Sequence, residues 1–191
     1  MSSKVARLVS VYRQHLSVPW QEGLAAIQRV IFAVYDKADE LRLRANVDEF
    51  ELVTKQAGKQ WLTLDVTNSF PDWLAAQEYR YAYFESPEDL AGYQTGELTE
   101  FVADLTTTLK KRIATEANQE TVVALLGVGA LFGLARVSSV VEGIKESVQG
   151  RLLVFFPGEH HPENHTYRLL DARDGWNYLA VPLIAQDTAK D

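Results

Sequence analysis

The 191-residue sequence contains no cysteine. This absence excludes disulfide bonds, cysteine-based zinc sites and a thiol nucleophile. Long apolar runs are also missing, because the most apolar stretch, residues 122–134, is well short of the roughly 20 residues that cross a bilayer. No charged segment followed by an apolar one resembles a signal peptide. We therefore expect a globular protein that folds in a reducing compartment.

The whole chain has a formal net charge of −7, and positive charge is scarcest in its middle. Lys and Arg are absent between Arg80 and Lys110, where every charged residue is acidic. Binding to duplex DNA needs clustered positive charge, and residues 110–112 form a basic run too short to supply it. We expect no direct binding to nucleic acid. The acidic stretch is either a solvated face or a surface that meets a basic partner.

Apolar periodicity predicts alternating helices and strands. Helical spacing predicts helices over residues 4–17, 39–57, 97–117 and 130–148, with a further helix starting at Ser69. Short apolar runs predict strands over residues 29–35, 61–66, 121–126 and 151–156. Pro157-Gly158 is expected to end the last of these. Two more strands, residues 167–170 and 176–183, are expected to form a hairpin around an Asp-Gly turn at residues 171–175.

Near-continuous apolar strands separated by helices are typical of a mostly parallel sheet that is covered on both faces. The sequence therefore predicts a single three-layer α/β domain over residues 1–185, with a C-terminal antiparallel hairpin. The prediction adds an acidic insert at about residues 81–98 and a polar tail at residues 186–191. The fold is expected to be a degenerate nucleotide-binding-like one, because no Gly-Lys-Ser/Thr run forms a phosphate-binding loop.

Three glycines follow the third predicted strand, namely Gly127, Gly129 and Gly133. Glycines between a strand and a helix allow a backbone to approach a pyrophosphate at the positive end of the helix. They equally allow a tight turn and close packing of a helix on the sheet. These three residues are low-ranking candidates for binding a cofactor, and no cofactor is expected.

Three carboxylates lie near predicted strand ends, namely Asp36, Asp65 and Glu159. In open α/β sheets ligands bind at the carboxyl ends of the strands, and carboxylate oxygens suit Mg²⁺. The same residues also suit helix caps and turns. His160, His161 and His165 form a second group, which is either a metal site or a solvated loop. No serine has evident triad partners, so the sequence does not predict an enzyme.

Aromatic side chains cluster directly before the acidic stretch, at Tyr79, Tyr81, Tyr83 and Phe84. The cluster is an edge strand, a docking patch or a set of side chains packed on the protein's own helices. The candidate partner-binding residues here are Tyr81, Tyr83, Phe84, Glu85, Glu88 and Asp89. A second candidate group is Arg173, Asp174 and Trp176, in the predicted turn, which is either a polar turn or a recognition loop.

Several segments, taken in order, resemble the BrxB family of BREX bacteriophage-defence proteins. The segments are RVIFAVYD (29–36), EFELVTKQAG (49–58), YFESPEDL (83–90), VVALLGVGALFGLARVS (122–138), GRLLVFFPGE (150–159) and YRLLDARDGWNYLAVPL (167–183). The resemblance implies a cytoplasmic bacterial protein that works within a multi-protein assembly.

The family has no firmly assigned catalytic activity, so the resemblance implies a non-enzymatic adaptor or scaffold. The partner it implies first is PglZ, the alkaline-phosphatase-like BREX protein, with the ATPase BrxC and the methyltransferase PglX as further partners. The alternative is a nucleotide- or Mg²⁺-binding sensor or enzyme that uses the strand-end crevice near Gly127 and Gly129.

Overall fold

The fold is seen in a computed structural model that describes residues 3–21, 23–86, 98–163, 166–170, 172–177 and 180–185. For residues 172–177 only the backbone is described. Some predictions therefore lie outside the described residues. These are His165, the tail at residues 186–191 and most of the acidic insert, including Glu88 and Asp89.

The chain alternates between helices and strands. The helices are α1 (Lys4–Ser17), α2 (Glu40–Arg44), α3 (Val47–Gln56), α4 (Ser69–Ala76), α5 (Arg80–Glu85), α6 (Thr99–Glu116) and α7 (Val137–Ile144). The strands are β1 (Val30–Tyr35), β2 (Gln60–Asp65), β3 (Thr121–Leu126), β4 (Arg151–His161), β5 (Thr166–Leu169), β6 (Ala172–Asn177) and β7 (Val181–Ile184). Short 3-10 helices cover Ala26–Arg29, Lys37–Asp39, Val128–Leu131 and Lys145–Ser147.

The strands form one sheet, in which β2, β3, β4, β1 and β7 lie side by side in that order and all run parallel. β5 pairs antiparallel with the far end of β4, and β6 pairs antiparallel with β5. Parallel neighbours need long crossover connections, which the helices provide. The predicted α/β fold with a mostly parallel sheet is confirmed. An antiparallel hairpin is also present, but its second strand is β6, whereas the strand predicted over residues 176–183 is wrong because residues 181–184 form β7.

Alternating side chains along the central strands enter two separate cores. On one face Ile31 and Phe155 pack with α1 and α3, which supply Tyr12 and Phe50 among others. On the other face Phe32 and its neighbours pack with α6 and α7. Every residue of β1 and β3 is buried, as expected for strands covered on both sides. The sheet with its two helical layers gives the predicted three layers.

Two predicted helices are shorter than their apolar patterns indicated. The helix predicted over residues 39–57 is interrupted at Ala45 and Asn46, between α2 and α3. The helix predicted over residues 130–148 is wrong in its first part, because Gly133 adopts a φ of +76° that no α-helix contains. A four-residue 3-10 helix occupies that region, and α7 starts only at Val137.

The predicted end of β4 at Pro157-Gly158 is wrong, because the strand continues to His161. At this point β4 exchanges its parallel partner β1 for its antiparallel partner β5. A Cβ at Gly158 would lie 1.9 Å from the carbonyl oxygen of Arg168 on β5, so only glycine allows the two backbones to approach this closely. The carbonyl oxygen of Pro157 accepts a hydrogen bond from the N–H of Leu170 at 2.9 Å.

The predicted Asp-Gly turn at residues 171–175 is also wrong. Leu170, at a φ of 53°, lies between β5 and β6, while Asp174 and Gly175 lie within β6. The last strand, β7, then joins the opposite side of the sheet, parallel to β1. Within the ranges given above, no helix is both long and apolar enough to cross a membrane.

Candidate functional site

The carboxyl ends of the parallel strands meet at one edge of the sheet, where two crevices open. One has a volume of about 340 Å³ and is lined by residues that include Arg44, Gly127 and Gly129. The other has a volume of about 410 Å³ and is lined by residues that include Asp36 and Glu159. Both lie where ligands bind in open α/β sheets.

Arg44 on α2 is the centre of a hydrogen-bonded network of charged and polar side chains at the first crevice. Its guanidinium donates to Glu40 at 2.8 Å, to Asp65 at 3.1 Å and to the hydroxyl of Thr67 at 2.5 Å. The hydroxyl of Tyr35, at the end of β1, donates to the other oxygen of Glu40. Arg44 therefore binds two carboxylates, and each of its three guanidinium nitrogens donates one hydrogen bond within the network.

The protonation of the network follows from these contacts. Burial raises the pKa of the Tyr35 hydroxyl, and the Glu40 carboxylate raises it further, so Tyr35 stays a neutral donor. Partial burial of Asp65 acts to raise its pKa, but hydrogen bonds from Thr67 and Arg44 outweigh burial and hold the pKa below its ordinary value. The network is an ion cluster whose charges are satisfied within the protein.

Gly127 closes this network from the side of β3. Its φ is +79°, and a Cβ there would lie 2.3 Å from the hydroxyl oxygen of Thr67 and 2.7 Å from Asp65 Oδ1. Gly129 comes within 3.3 Å of the Pro157 ring by the same measure, whereas Gly133 faces open space. Close packing against Thr67 and Asp65 therefore explains why residue 127 is a glycine.

The turn after β3 leads into a 3-10 helix of four residues, Val128–Leu131. It does not lead directly into an α-helix whose N-terminus could hold a pyrophosphate. Nucleotide binding at Gly127, Gly129 and Gly133 remains a prediction. The α-helix N-terminus that this prediction assumed does not directly follow the turn.

The structure does not bring the three candidate metal ligands together. Asp36 accepts a hydrogen bond from the N–H of Ala38 at 2.9 Å and caps the 3-10 helix that follows β1. Asp36 and Glu159 line the same crevice, but Asp65 belongs to the Arg44 network. Among the described residues, no three His, Asp or Glu side chains are placed to hold a metal ion.

His160 and His161 are successive residues of β4, so their side chains leave opposite faces of the strand. The His160 ring lies 4.7 Å from the ring of Tyr167, whereas His161 lies between Glu159 and Glu163 at 3.6 and 3.4 Å. These two imidazoles do not converge on one point.

The aromatic cluster forms a surface rather than part of the core. Residues 80–85 are helix α5, so the interpretation as an edge strand is wrong. Tyr79, Tyr81 and Phe84 are 74%, 65% and 67% exposed, so none of the three is buried against the helices described above. Tyr83 is half-buried and Glu85 is exposed. We call Tyr79, Tyr81 and Phe84 the aromatic face.

The aromatic face is attached to the domain through α4. Phe70 and Trp73 of α4 contact the ring of Phe101 on α6, with centroid distances of 5.4 and 5.6 Å. Trp73 also donates a hydrogen bond to Asp104 at 2.9 Å. The Arg80 guanidinium joins α5 to α4 by donating to the carbonyl oxygen of Ala75 at 3.1 Å.

Sequence reasoning missed two features of these surfaces. Tyr79 belongs to the aromatic cluster but was not among the chosen partner-binding residues, although its exposure is the highest of the three. Arg44 was also missed, although Glu40 and Arg44 have the four-residue spacing of a helical ion pair. Arg173, Asp174 and Trp176 lie in β6, and their side chains are outside the described part of the chain.

The packing role of Gly127 predicts that Gly127→Ala lowers the free energy of unfolding by about 3 kcal/mol or more. The new methyl group would be strained by the positive φ and would collide with Thr67 and Asp65. Gly133→Ala is the matched control, because it has a similar φ but open space around it. We expect it to cost roughly 1–2 kcal/mol in the same urea titration. Equal losses in the two variants would contradict the packing role.

The lowered pKa of Asp65 predicts a pH-dependent contribution to stability. The folded state binds its proton less readily than the unfolded state, so the contribution is present above the ordinary value of 3.8 and is lost as the pH falls through the lower, folded pKa. The melting temperature of the wild type should exceed that of Asp65→Asn at neutral pH, and the gap should narrow in acid. A gap that stays constant across a circular-dichroism pH series would disprove this.

Comparison with known proteins identifies the family. The family model described as "BREX protein BrxB" matches residues 62–183, which run from β2 to β7 and make up more than half of the chain. No curated protein and no solved structure matches the chain. The matched residues include the aromatic face, the turn at Gly127 and the strand exchange at Gly158. The resemblance in the sequence is thereby confirmed: the chain belongs to the BrxB family and is a component of a BREX phage-defence system.

Proposed function

We propose that this protein is a non-enzymatic adaptor of a BREX complex in the bacterial cytoplasm and that it binds PglZ through the aromatic face. The observation that carries the proposal is the exposure of Tyr79, Tyr81 and Phe84 on a helix that is itself anchored to the domain. Membership of the BrxB family makes other BREX proteins the natural partners. BrxC and PglX are the next candidates after PglZ.

Helical geometry supports a binding role for these side chains. Tyr81 and Phe84 are three residues apart on α5, so they lie on the same side of the helix. Burying a large apolar side chain at an interface contributes roughly 1.5–3 kcal/mol, and aromatic anchors dominate the energetics of many interfaces. Two or three such side chains are enough to form the buried centre of a specific interface.

Charge around the aromatic face supports a partner with a basic rim. Glu85 ends α5 and is exposed, and Glu88 and Asp89 follow it in the sequence. Opposite charge on the partner would mainly increase the association rate and the specificity of binding. The same acidity opposes contact with the phosphate backbone of DNA, so we propose no direct role in nucleic-acid binding.

The proposal predicts that Tyr81→Ala combined with Phe84→Ala abolishes a stable complex with PglZ. Each truncation removes an exposed anchor, and the loss in affinity should be about 100-fold or more. The measurement is size-exclusion chromatography with light scattering, on this protein alone and mixed with its cognate PglZ. The wild-type mixture should elute as one complex of defined mass, and the double variant should elute separately from PglZ.

Leu41→Ala combined with Leu52→Ala provides the matched control. These side chains are 83% and 54% exposed on α2 and α3, so the control also removes two exposed apolar groups. We expect it to bind PglZ like the wild type. Both double variants should keep the wild-type melting temperature, because none of the four side chains is buried.

Two outcomes would count against the proposal. If a folded Tyr81→Ala, Phe84→Ala variant still binds PglZ with wild-type affinity, the aromatic face is not the interface. If the wild-type protein and PglZ elute separately at micromolar concentration, PglZ is not a direct partner. The same chromatography with BrxC and PglX would then locate the partner.

A further inference from the structure

Basic residues collect at the other edge of the sheet, where the strands begin. Arg29 immediately precedes β1, Lys59 immediately precedes β2, and Arg151 is the first residue of β4. The residues two positions further along these strands are Ile31, Trp61 and Leu153, all of which pack in the core under α1 and α3. The three basic residues line one pocket at the rim of that face, together with Leu16 and Trp20.

Arg29 and Arg151 are direct neighbours in the sheet. β1 and β4 are in register with Val30 opposite Leu152, so the residues before them, Arg29 and Arg151, stand side by side. Arg151 is only 7% exposed, and the Nε of Arg29 is buried without a hydrogen-bond partner. Each guanidinium donates from Nη1 to a main-chain oxygen, that of Gln149 for Arg29 and that of Gly150 for Arg151, both at 3.1 Å.

No carboxylate of the described residues pairs with either guanidinium, although Lys59 nearby pairs with Glu120. Burial and the charge of Arg29 lower the pKa of Arg151, and burial and the charge of Arg151 lower the pKa of His15 on α1. The C-terminal residues of α1 also line this region, as does Ala57 after α3, but each helix end carries only about half a negative charge. Among the described residues, part of this positive charge is therefore uncompensated, and such a charge is costly to keep next to a core.

Trp20 forms one wall of the space between these cations. Lys59 Nζ lies 4.3 Å and Arg151 Cζ 4.6 Å from the centroid of its ring. The pocket has a volume of about 660 Å³ and is also lined by Arg29, Gln119 and Gln149. This volume lies within the range of sites for small molecules, about 300–1,000 Å³.

We propose that this pocket binds a phosphate-bearing small molecule of mononucleotide size, with the phosphate between Arg29 and Arg151. A phosphate monoester carries a charge of about −1.5 to −2 at neutral pH, which matches two guanidinium groups better than a single carboxylate does. Planar guanidinium groups also bind phosphate oxygens in a bidentate manner. The pocket shares no residue with the aromatic face, so the inference is independent of the adaptor role.

The test is calorimetric titration of the full chain with inorganic phosphate, pyrophosphate and AMP at constant ionic strength, and with succinate as a carboxylate probe. The phosphate-bearing probes should bind, and succinate should bind more weakly. Arg29→Gln should reduce the affinity for the phosphate probes by about tenfold or more, because it removes a charged donor. In the NMR spectrum, binding should shift the indole N–H signal of Trp20. This signal is identified as the one that is missing from the spectrum of the Trp20→Phe variant.

Arg112→Gln is the matched control, since Arg112 is a surface residue of α6 that pairs with Glu116 at 2.9 Å. It should bind the phosphate probes like the wild type. Arg29→Gln tests the proposal even if a variant of the buried Arg151 does not fold. The proposal is wrong if no phosphate probe binds at millimolar concentration, if succinate binds as tightly, or if Arg29→Gln leaves the affinity unchanged.

Discussion

Burial of the central strands on both faces is the constraint on which the rest of the structure depends. All residues of β1 and β3 and the first seven of β4 are buried, so neither face of the sheet can be left to water. α1 and α3 must cover one face, and α6 and α7 the other. Parallel pairing also places the starts of β1, β2, β3, β4 and β7 at one edge of the sheet and their ends towards the opposite edge. Polar and charged groups that cannot enter the two cores collect at these edges.

The two edges handle charge differently. At the carboxyl edge, Arg44 donates hydrogen bonds to both Glu40 and Asp65, and Gly127 packs against the same network, so both carboxylates have hydrogen-bond donors within the protein. At the amino edge, Arg29 and Arg151 stand side by side with main-chain oxygens as hydrogen-bond acceptors. At the carboxyl edge, where ligands usually bind, these polar groups therefore form hydrogen bonds with one another. The excess positive charge at the other edge is what makes it the stronger candidate for an anion.

The aromatic face illustrates how a structural anchor can present a binding surface. α4 is tied to α6 by edge-to-face and tilted ring contacts with Phe101 and by the hydrogen bond from Trp73 to Asp104, so α5 has a fixed base. Tyr79, Tyr81 and Phe84 can then remain in water without contributing to the core. The protein belongs to a family of BREX components, and a rigid surface of this kind suits the adaptor role that we propose.

Local patterns were reliable for α1 and for the buried strands. The amphipathic pattern of α1 gave the observed bounds, Lys4–Ser17, and the apolar runs gave β1 to β4 to within a residue at all but one end. Local turn signals failed where two distant segments meet. Pro157-Gly158 indicated a strand end, but Gly158 instead allows β5 to approach β4.

The sequence by itself determined the α/β class and the two-sided burial of the sheet, because these depend on periodicity along the chain. The family followed from the resemblance of several segments to BrxB, which the family model matches over residues 62–183. Only the tertiary structure decided that Arg29 stands beside Arg151, that α5 exposes its aromatic residues, and that Asp65 pairs with Arg44 rather than joining Asp36 and Glu159. The reason is physical. Arg29 and Arg151, like Arg44 and Asp65, lie far apart in the chain, and strand order and register set which residues meet, whereas periodicity shows only which face each residue occupies.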